Sequence, residues 1–95
     1  MPPARIRRIE PADPGGEPVC LLTQDQARAR LVPIDRLLAL GTFEPRAAGY
    51  EIRLPPGEEY WMLANDFAEE EAACCASLTL AVEERGDATV VTATF

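Results

Sequence analysis

YEIRLPPGEEYWMLANDFAEEEAACCASLTLAVEERGDATVVTATF, residues 50–95, changes its hydrophobic period three times, and those changes decide the fold. Tyr50, Ile52 and Leu54 alternate with Glu51 and Arg53, the pattern of a half-buried strand. Pro55-Pro56-Gly57 ends that strand, and Glu58 and Glu59 suit the positive end of the helix that follows, which runs to about Cys75. Leu78, Leu80 and Val82 then alternate with Thr79 and Ala81. Arg85-Gly86-Asp87 supplies turn residues, and Val90 to Phe95 is rich in Val and Thr, so a β-hairpin closes the chain. Strand, helix and hairpin imply a right-handed crossover in which the first two strands run parallel, with the third beside or between them.

Upstream, Thr23 and Gln26 form a capping box ahead of Ala27, Leu31, Ile34 and Leu38, which predicts a helix from near Gln24 to Gly41, kinked by Pro33. Thr42 to Gly49, with Pro45, reads as a connector. Residues 1–19 hold Pro2, Pro3, Pro11, Pro14, Pro18 and Gly15-Gly16 and read as a proline- and arginine-rich arm, with Ile6 and Ile9 docking on the body. The expected architecture is a single α+β domain over residues 20–95. It has two layers, a three-stranded mixed sheet built as strand, helix and hairpin, and the preceding helix packed on the same face. A free sheet edge makes homodimerisation through that edge the expected mode of association, because unpaired backbone donors and acceptors invite a partner strand.

The chain has 95 residues, 47% of them hydrophobic and 26% charged, which is enough for one packed core and too little for two. Sixteen acidic residues against nine basic ones give a net charge of −7, and every basic residue is arginine. The absence of histidine excludes Ser-His-Asp and Cys-His machinery, and the absence of lysine excludes a Schiff base and a phosphate-loop lysine. The acidic balance argues against nucleic acid, whose binding rests on neutralising phosphates, and the patch Arg5-Ile6-Arg7-Arg8 belongs to a solvated arm. No apolar run suits a membrane span or a signal peptide, so a cytoplasmic location is expected. In a reducing compartment the three cysteines read as free thiols or metal ligands.

On a helical wheel of ~100° per residue centred on Phe67, Leu63, Cys74, Tyr60, Glu71, Ala64, Cys75, Ala68 and Trp61 share one arc. Met62, Asn65, Asp66, Glu69, Glu70 and Ala73 occupy the other. Glu71 therefore faces inward between Cys74 and Cys75, unlike its neighbours in the acidic run. An inward carboxylate needs an arginine, a set of hydrogen-bond donors, a metal ion or a raised pKa. The bland reading is a structural tie from Glu71 to an arginine on the preceding helix, with cysteines that merely pack in the core of an interaction or dimerisation module. The sharper one is non-catalytic binding of a thiophilic metal or metalloid ion by Cys74 and Cys75, with Cys20 as a third ligand and Glu71 beside them. Adjacent thiols on a helix diverge, so that site requires the helix to end at the pair. A nucleophilic cysteine is disfavoured, because a carboxylate and the negative end of a helix both oppose the thiolate. An enzyme would need a pocket beside Glu71 that holds Arg28, Arg30, Arg36 or Tyr50.

Cys20-Leu21-Leu22-Thr23 opening a helix, Phe67-Ala68-x-x-Glu71-x-x-Cys74-Cys75 and the closing hairpin resemble a group of short uncharacterised bacterial proteins. Their helix reads Leu-Ala-x-x-Glu-x-x-Cys-Cys before an aromatic-rich strand. The resemblance spans Cys20 to the end. It departs at Ala76-Ser77-Leu78, where an aromatic would follow the cysteines, and at Pro33. It implies that Cys20, Glu71, Cys74 and Cys75 belong together.

Overall fold

The computed structural model describes residues 5–11, 34–74 and 77–94, apart from the side chains of Ile34 and Cys74. Seven elements follow one another: β1 (Arg5–Ile9), α1 (Ile34–Leu40), β2 (Thr42–Arg46), β3 (Gly49–Leu54), α2 (Glu58–Cys74), β4 (Thr79–Glu84) and β5 (Thr89–Thr94). The strands form one five-stranded sheet in the order β1-β4-β5-β3-β2, and every adjacent pair is antiparallel. No helix among the described residues is long and apolar enough to cross a membrane.

The α+β class and the order strand, helix, hairpin agree with the sequence reading, whereas the three-stranded mixed sheet does not. β3 and β4 do run in the same direction, but β5 lies between them and is antiparallel to both, so no parallel pair exists among the described strands. The two added strands come from segments that look unlike strands. Arg5–Ile9, assigned to the arm, is edge strand β1. Thr42–Arg46, assigned to the connector, is edge strand β2, exposed at all five positions. Pro45 disguises it, yet proline is tolerated on an edge, where one row of backbone donors has no partner to serve. The expected helix from Gln24 lies outside the described residues up to Pro33; its described part is α1, which stops at Gly41, whose N–H donates to the Leu37 carbonyl at 3.0 Å.

Residues opposed across an antiparallel ladder share a face, so the register sorts the side chains. Tyr50, Ile52 and Leu54 of β3, Leu80 and Val82 of β4, and Val91 and Ala93 of β5 point the same way. Both helices cover that face: Phe67, Ala64 and Ala68 of α2 and Leu37 of α1 are fully buried against these strands in one core. At the start of α2, the Trp61 N–H donates to the Gly57 carbonyl at 3.0 Å.

β1 lies in the opposite phase to the one its composition suggests. Arg5 and Arg7 oppose Glu84 and Val82 and so face the helices, while Ile6 faces away and is 54% exposed. Ile9 packs on the core as expected; Ile6 cannot join it, because residues three apart on a strand lie on opposite faces. The inversion is compensated by α2, whose face over β1 is polar. Arg5 bonds Glu58 of α2 and Glu84 of β4, and its guanidinium carbon stands 4.3 Å from the centre of the Trp61 ring. Arg7 donates to Asn65 at 3.0 Å and to Glu69 at 2.6 Å. Hydrogen bonding to Arg5 holds the Glu58 carboxyl below its ordinary range. The patch expected to be solvated is the clamp between strand and helix.

Two substitutions test this packing. Gly49 opens β3 with φ +149°, and a Cβ there would collide with the Ala93 carbonyl oxygen. Gly49→Ala is therefore expected to cost about 2–4 kcal/mol in chemical denaturation, from strain plus a shifted central strand, while Gly86→Ala, with open space around it, stays within about 0.5 kcal/mol. Thr89, fully buried on the helix-facing side of β5, has a hydroxyl with no hydrogen-bond partner among the described residues. Thr89→Val should stabilise the protein by roughly 1 kcal/mol, since it removes an unsatisfied polar atom at constant shape, and an unchanged or lowered denaturation midpoint would contradict that account.

Candidate functional site

α2 places Glu71 where the wheel put it, on the side turned towards the sheet, at half-burial. Phe67 and Ala68, on the same side, are fully buried, whereas Met62, Asp66, Glu69 and Ala73 are exposed. The wheel errs at Asn65 and Glu70, which are half-buried on the side expected to face water; Asn65 is held there by its bonds to Arg7 and to the Trp61 carbonyl, the latter at 2.8 Å.

The described partner of Glu71 is a hydroxyl; Arg28 and Arg30 of the expected preceding helix lie outside the described residues. Tyr50 Oη donates to Glu71 Oε2 at 2.7 Å, which ties the first residue of β3 to reach inward to the last complete turn of α2. Tyr50 opposes Ala93 in the register and packs against the core. Its ring also meets Phe43 of edge strand β2, centre to centre 5.5 Å at 33°. An aromatic ring whose body is packed and whose hydroxyl reaches a carboxylate holds that carboxylate in one place, because both ends of the tyrosine are fixed. This partner was visible in the sequence, since Tyr50 is in phase with the inward residues Ile52 and Leu54.

The described part of α2 reaches Cys74, three residues beyond Glu71. Cys20 and Cys75 lie outside the described residues, as does the Cys74 side chain, and so do Arg28 and Arg30. Among the described residues no three Cys, Asp or Glu side chains gather as a metal-binding group.

Of two clefts formed by the described residues, neither is lined by Glu71. A cleft of about 260 Å³ between the helices is lined by Arg36, Leu40, Glu59, Tyr60 and Leu63. A second, of about 280 Å³, lies on the outer side of α2 along Asp66, Glu69, Glu70 and Ala73. Arg36 is thus at a cleft, but not with Glu71 or Tyr50.

Tyr50→Phe isolates the one described bond at this site. Removing a hydroxyl that donates to a carboxylate is expected to cost about 1–2 kcal/mol by chemical denaturation, with the fold unchanged. A loss indistinguishable from zero would mean that Glu71 is equally well served without Tyr50. The chain matches no protein-family model, no curated protein and no solved structure.

Proposed function

We propose that this chain is a non-catalytic binder of a thiophilic metal or metalloid ion, with Cys74 and Cys75 as thiolate ligands, Cys20 as the third, and Glu71 beside them. The observation that supports the reading is a carboxylate held inward by Tyr50 one turn before Cys74 on α2. Within a helix, neighbouring side chains diverge by ~100°, which keeps adjacent thiols from sharing an ion, so the reading requires the backbone to leave helical geometry at Cys75.

Electrostatics favour a cation over a nucleophile here. A carboxylate one turn away and the carbonyl end of a helix both oppose a bare thiolate, so deprotonation is favourable only when a positive ion arrives with it. Binding therefore releases protons and tightens as pH rises through the thiol range. Thiolate ligands select Cu(I), Zn(II) and heavier soft ions over Mg(II) or Ca(II), which take oxygen ligands.

A second reading is favoured by the same Tyr50 bond, since the hydroxyl gives Glu71 a donor without any ion. In it the cysteines only pack, and the chain is a protein-interaction or dimerisation module. One experiment separates the two. The reduced protein is titrated with Cu(I), Zn(II) and Hg(II), with thiol accessibility and melting temperature followed in parallel, alongside Cys74→Ser, Cys75→Ser and Cys20→Ser. The metal reading expects one equivalent bound, a stabilisation of about 2.7 kcal/mol at a hundredfold excess of ion over Kd, and loss of that gain in the Cys74 and Cys75 variants. Three unreactive thiols, no bound ion and an unmoved melting temperature would leave only the packing role.

A further inference from the structure

The two edges of the sheet differ in what they offer a neighbour. Backbone groups alternate along an antiparallel strand between its two sides, so one known bond fixes the phase of the whole sheet. Arg85 N–H donates to the Ala88 carbonyl at 2.8 Å across the β4–β5 turn. Counting on from that pair, Glu83 and Ala81 bond β5, and Glu84, Val82 and Leu80 turn their backbones to β1, where they meet Arg5, Arg7 and Ile9. The N–H and C=O groups of Ile6 and Arg8 therefore point away from the sheet. Carried the other way, the count reaches β2 with Phe43 and Pro45 outward. The two-residue turn Ala47-Ala48 gives the same answer, because the residues that flank such a turn, Arg46 and Gly49, are a bonded pair.

At β2, then, a proline occupies one of the two outward positions and withdraws its donor, as edge strands do when they resist pairing. At β1 nothing is withdrawn: two donors and two acceptors stand in a row from Ile6 to Arg8. The side chains at these positions share the face turned away from the helices. Ile6 is 54% exposed, and the Arg8 side chain is 63% exposed with a single described carboxylate, Glu10, at a loose 3.5 Å. Arg5 and Arg7, on the helix side, are already engaged by Glu58, Glu84, Asn65 and Glu69.

The geometry points to the outer edge of β1 as a docking edge for an acidic, extended segment of another protein, which adds to the five-stranded sheet as a further strand bonded to Ile6 and Arg8. Charge selects this occupant. A second copy paired through its own β1 about Arg7 would set Arg8 opposite Ile6, supply it no carboxylate, and crowd six arginines into two neighbouring strands. A copy offering β2 would present the proline-interrupted row. An incoming antiparallel strand with a glutamate or aspartate opposite Arg8 and, two residues on, an aliphatic side chain opposite Ile6 satisfies both exposed side chains, and opposite charges across strands add to the four backbone bonds.

The full-length protein is titrated with two peptides, Val-Thr-Glu-Thr-Val-Thr and its Lys counterpart, while amide exchange is followed residue by residue. The Glu peptide is expected to bind at least tenfold tighter than the Lys peptide and to protect the Ile6 and Arg8 amides. Ile6→Pro removes an outward N–H and leaves the ladder to β4 intact, so binding should fall at least tenfold at an unchanged melting temperature. Arg8→Glu keeps every backbone group and should invert the preference between the peptides, which keeps the test decisive even where the proline variant unfolds. The proposal is overturned by no binding of the Glu peptide, by equal binding of both, by protection at other amides, or by protection of Ile6 and Arg8 in a peptide-free dimer.

Discussion

The sheet depends on its central strand. β5 is bonded to β4 on one side and β3 on the other, and it is the last of the described strands in sequence order. Before Thr89–Thr94 takes its place, the described strands make two separate ribbons, β1 with β4 and β2 with β3, and a two-stranded ribbon is marginal in water. β5 also supplies Val91 and Ala93 to the helix-facing core, where both are fully buried with Phe67 and Ala68 of α2. Inserting one strand thus completes six residue pairs of ladder on each of its sides and closes the surface on which α2 lies. The protein should gain most of its stability in a single step, since neither half can bury its apolar side alone.

The elements that surround this centre were legible because each is half-buried. Alternation marks a strand only when one face meets a core and the other meets water, as in β3 and β4, whereas β5, buried at its first three positions, was legible from its Val and Thr content. α2 was legible for the same reason, and its wheel placed Phe67, Ala68 and Glu71 on the inward side. The edges failed in two distinct ways. β2 has no buried position, so no pattern survives in its sequence, and Pro45 reads as a break. β1 has a pattern in the inverted phase, with arginines inward and isoleucine outward, which only the polar face of α2 over it can explain. Single-residue hydrophobicity cannot find such a strand, because its compensation lies more than fifty residues away.

Of the candidate site, Glu71, its orientation and the phase of Tyr50 were legible, but the bond between the two was not anticipated. An inward carboxylate in an arginine-rich chain suggests an ion pair with the preceding helix, whose Arg28 and Arg30 lie outside the described residues; the arginines of β1 are committed to Glu58, Glu69 and Glu84, and the described donor to Glu71 is a tyrosine. A tyrosine packed along its ring fixes the direction of the carboxylate it donates to. Asp66, Glu69 and Glu70 place further carboxylates along the same helix.

Such a distribution separates the two ends of the molecule by charge. The chain carries a net −7, yet its described cations on the β1 side are concentrated in Arg5, Arg7 and Arg8, two of them answered by carboxylates and the third loosely so. The Tyr50–Glu71 corner lies across the sheet from that edge, at the strand next to β2. The proposed ion site would draw a cation to the acidic end of α2 and the proposed docking edge would draw an acidic chain to the loosely paired Arg8, so the two proposals call for ligands of opposite sign. Neither occupies the other's residues, and α2 touches both: its first half clamps β1 through Glu58, Trp61, Asn65 and Glu69, and its last turn holds Glu71. A ligand at either end must act on the same rigid helix, and any coupling between the two would have to pass along it as a shift of α2 over β4 and β5.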